Sequence, residues 1–159
     1  MATNICLKKY TDKLIDSTES ISSRSGMVIN TPYEYLGSKK KLFFVGYNPG
    51  GVPSNSETTI GEDIDRHKNN LSFNAMEESW GTYAPGSHPI QLLTKKILSN
   101  TSLEKKDILV TNLYFERSSS SQSLSLDDKL QDICKEIFLH TIELHQPETI
   151  CFFGHKTAS

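Results

Sequence analysis

Three short apolar runs stand out from an otherwise mixed chain: Leu42 to Val45, Ile108 to Phe115, and Ile150 to Phe153. Runs of this length without polar alternation are how strands covered on both faces read. The segments around them follow a helical period instead. From Thr3 to Ser17, Ile5, Cys6, Tyr10, Leu14 and Ile15 fall near helical spacing, and Gly26 marks a break beyond them. Ser87-His88-Pro89 offers a helix start with proline at the first position, followed by an apolar face of Leu92, Leu93, Ile97 and Leu98 up to Asn100. Ser125, with Asp128 three residues on, has the form of an N-cap before Leu130, Ile133, Cys134, Ile137, Phe138 and Ile142, and Pro147 stops that helix. Strand, helix, strand, helix, strand with buried-type strands predicts an α/β fold, a three-layer α/β/α arrangement around a central parallel sheet.

Composition sets bounds on this picture. At 159 residues and 36% hydrophobic, the chain has the size of a single domain, 1–159, with enough apolar surface to form a core. No apolar run approaches a membrane span and the opening residues lack a signal-peptide pattern, so the expectation is a soluble, intracellular (cytoplasmic) protein. Cys6, Cys134 and Cys151 are far apart with no CxxC spacing, which gives no metal site and no disulfide framework. A net charge of −2 differs from the basic balance of proteins that grip long DNA. Lys39-Lys40-Lys41, Lys95-Lys96 and Lys105-Lys106 are either a local basic rim or ordinary solvated surface.

In a parallel sheet, ligands collect at the carboxyl ends of the strands. Three loops qualify: those beginning at Gly46, around Asn112 to Ser118, and at Gly154. Gly46-Tyr47-Asn48-Pro49-Gly50-Gly51 is a glycine-rich turn in which Pro49 fixes the backbone just after Asn48. It matches neither the P-loop nor the GxGxxG dinucleotide pattern. Alone, it reads as a turn containing an asparagine. Asn112 likewise reads either as a strand end bonded to local backbone or as a ligand-facing amide.

Taken in order, these segments resemble the uracil-DNA glycosylase superfamily, specifically the branches whose first motif is G-x-N-P-G. Ile108 to Leu113 is similar to the superfamily strand that ends in a base-reading asparagine, and Arg117 stands where several branches have arginine. Gln146-Pro147-Glu148-Thr149-Ile150-Cys151-Phe152-Phe153-Gly154 resembles the helix-Pro-x-x-Ile-strand-Gly passage, with Ala158 following. The resemblance covers roughly Asn30 to Ser159. It implies that Asn48 positions the attacking water, that Gly46, Tyr47, Pro49 and Gly50 wall the base pocket, and that Asn112 bonds the flipped base. It also implies a DNA partner, single- or double-stranded, met at the backbone by Arg117, Ser118, His155 and Lys156, and no cofactor or metal. Flipped bases are held by stacking, which makes Phe73, Trp80 and Tyr83 candidates, each equally readable as core.

The chemistry of these residues suits the cleavage of an N-glycosidic bond. The sugar becomes cation-like and the base leaves with anionic character, so water placement and donors to the base matter more than a strong base. An asparagine at position 48 positions water but takes no proton at neutral pH.

The resemblance is incomplete at the carboxyl end. The superfamily's late histidine loop has no counterpart before Ser159; His88-Pro89 copies two of its letters in the wrong order, and His140, His145 and His155 read as helix-end residues. The chain therefore reads as a C-terminally incomplete domain or a reduced relative, with weak or no activity by itself. Two other classes stand beside the glycosylase: a non-catalytic binder built on the same fold, and an unrelated α/β hydrolase or nucleotide-binding enzyme whose Gly46 to Gly51 loop cradles a phosphate.

Overall fold

The computed structural model describes residues 2–51 and 58–153. Its three strands, β1 (Leu42–Gly46), β2 (Ile108–Asn112) and β3 (Thr149–Phe152), form one sheet in the order β2-β1-β3. Both pairings are parallel, with Gly46 opposite Asn112 and Val45 opposite both Thr111 and Phe152. The predicted class and architecture hold: α/β, a parallel sheet with helices on both faces.

Alternation along β1 explains the layering, because successive side chains of a strand point to opposite faces. Phe43 and Val45 enter a large core with Tyr10 and Leu14 of α1 (Ala2–Thr18), Ile60 and Ile64 of α2 (Ile60–Asn69), and Leu130, Cys134 and Ile137 of α4 (Asp128–His145). Leu42 and Phe44 enter a smaller one with Ile108, Val110, Met76 and the Ile90, Ile97 and Leu98 face of α3 (Pro89–Asn100). α3 leads from β1 to β2 on one face, and α4 leads from β2 back past β1 to β3 on the other. The chain changes direction across β1, so the crevice of this doubly wound topology opens at the carboxyl ends of β1 and β3.

Several sequence expectations need correction. The cap of α4 is Asp127, which accepts a hydrogen bond from the Leu130 N–H, and not Ser125. β2 ends at Asn112, three residues short of Phe115. On α3, Leu92 and Leu93 face outward, since Pro89 starts the helix in a phase that turns Ile90, Gln91, Thr94, Ile97 and Leu98 inward. α2 lies inside what reads in sequence as one long connection, 52–86. It is held by a capping box in which Thr59 accepts from the Glu62 N–H and Glu62 accepts from the Thr59 N–H.

Two of the three lysine clusters lie away from the carboxyl edge. Lys39 to Lys41 precede β1 and Lys105-Lys106 precede β2, which places them at the opposite, amino edge of the sheet. Lys40 is not surface at all: it is 1% exposed, with Nζ donating to the Ser38 hydroxyl and the Lys106 carbonyl, each at 2.9 Å, and to the Tyr35 carbonyl. Burial lowers its ammonium to about 8. No helix among the described residues is long and apolar enough to cross a membrane, and no group of three or more His, Cys, Asp or Glu among them is placed to hold a metal.

Candidate functional site

The loops after β1 and β2 leave the sheet side by side and continue its pairing beyond the strands. Leu113 N–H donates to the Gly46 carbonyl at 2.8 Å, Tyr114 N–H to Tyr47 at 2.9 Å, and Ser118 N–H to Pro49 at 3.1 Å. Tyr47 and Tyr114 meet edge to face at 5.1 Å. An outer segment, 25–30, runs antiparallel along the free side of β2 and its loop, with Ile29 opposite Thr111 and Gly26 opposite Glu116. These backbone bonds satisfy groups that a loop would otherwise expose, and they make the edge a rigid platform.

Asn48 is the cross-link of this platform. Its Nδ2 donates to the Ser118 hydroxyl at 2.8 Å, the Pro49 carbonyl at 2.9 Å and the Glu116 carbonyl at 3.2 Å. Two of those acceptors are carbonyls, so the amide nitrogen and not the oxygen must face them. Oδ1 is thereby turned away, and no described residue donates to it. Asn48 has a structural duty that its sequence position does not announce.

Asn112 closes β2 on the same face as Ile108 and Val110. It is 8% exposed, and its carboxamide takes no hydrogen bond from any described residue. Gly46 makes room for it: a Cβ there would lie 2.6 Å from Asn112 Oδ1. Gly46 pairs with Asn112 and lies two residues from Asn48, so the Cα atoms of the two asparagines are within about 12 Å of each other. The structure thus brings Gly46, Tyr47, Asn48, Pro49, Gly50 and Asn112 to one edge.

The Gly46–Asn112 contact gives a direct prediction. Gly46→Ala should turn the Asn112 carboxamide aside while leaving the fold intact, because the clash is with a rotatable side-chain end. Melting should shift by no more than about 1–3 kcal/mol in stability, while any selectivity for a ligand at Asn112 is lost. Selectivity equal to wild type would show that Asn112 does not read the ligand.

Around this pair the other expected residues divide. Arg117 is half-buried, its Nη1 donating to the Gly50 carbonyl at 2.6 Å. Ser118 is buried, and its hydroxyl is engaged by Asn48 on one side and the Ser120 carbonyl on the other. His155 and Lys156, with Gly154, lie outside the described residues. Among the aromatics, Trp80 packs in the α3-side core, on the face where Asn112 lies, with Nε1 donating to the Ala75 carbonyl at 2.7 Å. Tyr83 is exposed and meets His88 edge to face at 4.9 Å; Trp80 lies 5.2 Å from the same ring. Phe73 belongs to the other layer, against His67 at 4.9 Å and under Arg66. His88 is the N-cap of α3, with Nδ1 accepting from the Ile90 N–H.

Sequence reading missed a buried polar group behind this edge. Asp63 and His67 stand one turn apart on α2, both fully buried, with Tyr33 stacked on His67 at 4.3 Å. Asp63 Oδ2 accepts from the Val28 N–H at 3.0 Å, and burial raises its carboxyl to about 7. Burial lowers the His67 ring to about 4. The Thr59-x-x-Glu62 spacing is the one sequence signal that would have placed these two residues on a helix. A small, mostly apolar cavity of about 90 Å³ lies elsewhere, between Tyr35, Met76, Leu98, Ile108 and Val110, toward the amino end of β2.

Comparison with known proteins gives a distant similarity over part of the chain. No family model matches the chain. An 88-residue stretch is 25% identical to the NAD-dependent protein deacylase sir-2.2 of Caenorhabditis elegans, covering 55% of this chain and 31% of that protein. The chain therefore aligns with less than a third of its relative's length.

Proposed function

We propose that this chain carries the base-binding edge of a uracil-DNA-glycosylase-like hydrolase, which cleaves the N-glycosidic bond of a flipped-out uracil or damaged base in DNA. The observation that carries the reading is the Asn112 carboxamide, 8% exposed and hydrogen-bonded to no described residue, at the carboxyl edge beside the Asn48 turn. A carboxamide whose donor and acceptor are unused by the fold meets a ligand edge that carries one acceptor and one donor. Uracil presents such an edge, and an asparagine matches it with two bonds. Asn48 Oδ1 is the acceptor that holds the attacking water, while its Nδ2 fixes the side chain in place. Tyr47, Pro49 and Gly50 wall the pocket, Trp80 is the stacking aromatic on the right face, and Arg117 meets the DNA backbone.

A second reading has its own support. The engaged nitrogen of Asn48 and the placement of Lys39 to Lys41 and Lys105-Lys106 at the opposite edge suit a glycosylase-fold binder that holds a base without cleaving it. The loop's departure from GxGxxG leaves no observation at the site that favours an NAD-dependent reaction.

Incubating the protein with single-stranded and duplex oligonucleotides containing one uracil, then cleaving abasic sites with alkali, separates these readings. Strand breaks at uracil and not at thymine support the hydrolase. Binding of uracil-containing DNA with no breaks in either the single-stranded or the duplex substrate would remove the hydrolase and leave the binder.

A further inference from the structure

Arg24 stands where three segments meet beside the Asn48 turn, and its main chain is fixed first. Its carbonyl accepts from the Ile60 N–H at the start of α2, and the next carbonyl, of Ser25, accepts from the Arg117 N–H at 2.8 Å. Gly26 pairs with Glu116 so closely that a Cβ on it would overlap the Phe115 carbonyl. From that seat the guanidinium forks. Nη1 donates to Glu116 Oε2 at 2.6 Å, and Nη2 donates to Asp127 Oδ2. The other oxygen of Asp127 caps α4 through the Leu130 N–H. Glu116 and Asp127 flank the serine-rich loop 117–126, so one side chain clamps both ends of that loop. Two of the three acceptors that seat the Asn48 carboxamide belong to the clamped stretch: the Glu116 carbonyl at 3.2 Å and the Ser118 hydroxyl at 2.8 Å.

We propose that Arg24 is a positioning residue for Asn48: by holding Glu116 and Asp127 together, it fixes the carbonyl and the hydroxyl on which the Asn48 side chain is seated. The role calls for arginine, because a planar fork reaches two carboxylates at once and a lysine reaches one. Hydrogen bonds from Glu116 and then Asp127 raise the guanidinium above its ordinary value, and Arg24 in turn holds the Asp127 carboxyl below its own, so this pair stays charged at neutral pH. All three side chains are partly exposed, so the clamp adds little to global stability and acts on local order in the loop. The consequence for base excision rests on the hydrolase reading above; the seating of Asn48 belongs to the free protein.

The test follows the Asn48 side-chain amide signals of the ¹⁵N-labelled chain by NMR, assigned by their loss in Asn48→Ala. In Arg24→Met, which keeps the apolar stem and removes the fork, these protons should exchange with solvent about three- to tenfold faster than in the wild type, while the melting temperature falls by no more than about 4 °C. Arg24→Lys, with one arm left, should fall between the two. A folded Arg24→Met whose Asn48 amide exchanges at the wild-type rate would overturn the proposal. If that variant does not fold, Glu116→Gln decides, because it removes one arm and leaves the main chain: faster exchange supports the clamp, and an unchanged rate sinks it. Where base excision is measurable, Arg24→Met should lower kcat by about the same three- to tenfold factor with KM for the oligonucleotide unchanged. An absence of excision by the wild type would count against the hydrolase and leave the exchange rates to decide the clamp.

Discussion

Acid is expected to destabilise the protein steeply between pH 6.5 and 4, and Asp63→Asn is expected to make the fall about twice as steep. Two buried histidines cause it. His67 is 0% exposed, with neither ring nitrogen hydrogen-bonded among the described residues. His145 is 1% exposed, its Nδ1 at 3.1 Å from the Ser38 carbonyl, near the Lys40 ammonium. Burial brings each to about 4, below the ordinary 6.5. Their stabilisation is therefore complete above pH 6.5 and lost as pH falls through 4, roughly 3 kcal/mol for each.

Asp63 opposes them. Its carboxyl is raised from 3.8 to about 7, so the folded state keeps a proton that the unfolded state has released. Its contribution is complete below pH 3.8 and fades as pH rises through 7. Between pH 4 and 6.5, unfolding takes up two protons at the histidines and gives up one at Asp63, a net uptake of about one. The slope is then about 1.4 kcal/mol per pH unit in the wild type and about 2.7 in Asp63→Asn. Urea unfolding followed by circular dichroism at half-unit pH steps measures both. Equal slopes in the two proteins would show that Asp63 does not hold its proton in the fold.

The strands were legible because a parallel strand covered on both faces has no polar alternation to confuse the reading. α1, α3 and α4 were legible from period and punctuation, with Pro89 and Pro147 marking a start and a stop. α2 was not, because only Ile60 and Ile64 enter the core from a stretch otherwise rich in charge, and tertiary packing supplies what periodicity lacks. Lys40 reads as surface in any sequence, since its burial depends on acceptors that converge from Tyr35, Ser38 and Lys106 only after folding. His145 reads as a charge at a helix end; the fold instead buries it against Tyr10 and Phe43 and keeps it neutral. At the candidate site, the place of Asn48 and Asn112 on one edge follows from parallel pairing alone. The division of labour proposed for Asn48, nitrogen for the loop and oxygen for the ligand side, needs the Glu116 and Ser118 acceptors that arrive from another segment.

That division makes the two asparagines separable by mutation. Asn48→Ala removes the acceptor for water and three donor contacts within the loop, while leaving Arg117 on Gly50. It should lower the rate of excision at least tenfold, about 1.4 kcal/mol of transition-state stabilisation, with DNA affinity nearly unchanged. Asn112→Ala leaves the water in place and removes the edge contacts, so its loss should fall on discrimination between bases. The direct measurement is single-turnover release of uracil and of cytosine from matched single-stranded oligonucleotides, with DNA affinity determined for each variant. The account predicts a slow but still uracil-selective Asn48→Ala and an Asn112→Ala that has lost preference for uracil over cytosine. Full-rate excision by Asn48→Ala, or unchanged selectivity in Asn112→Ala, would contradict it.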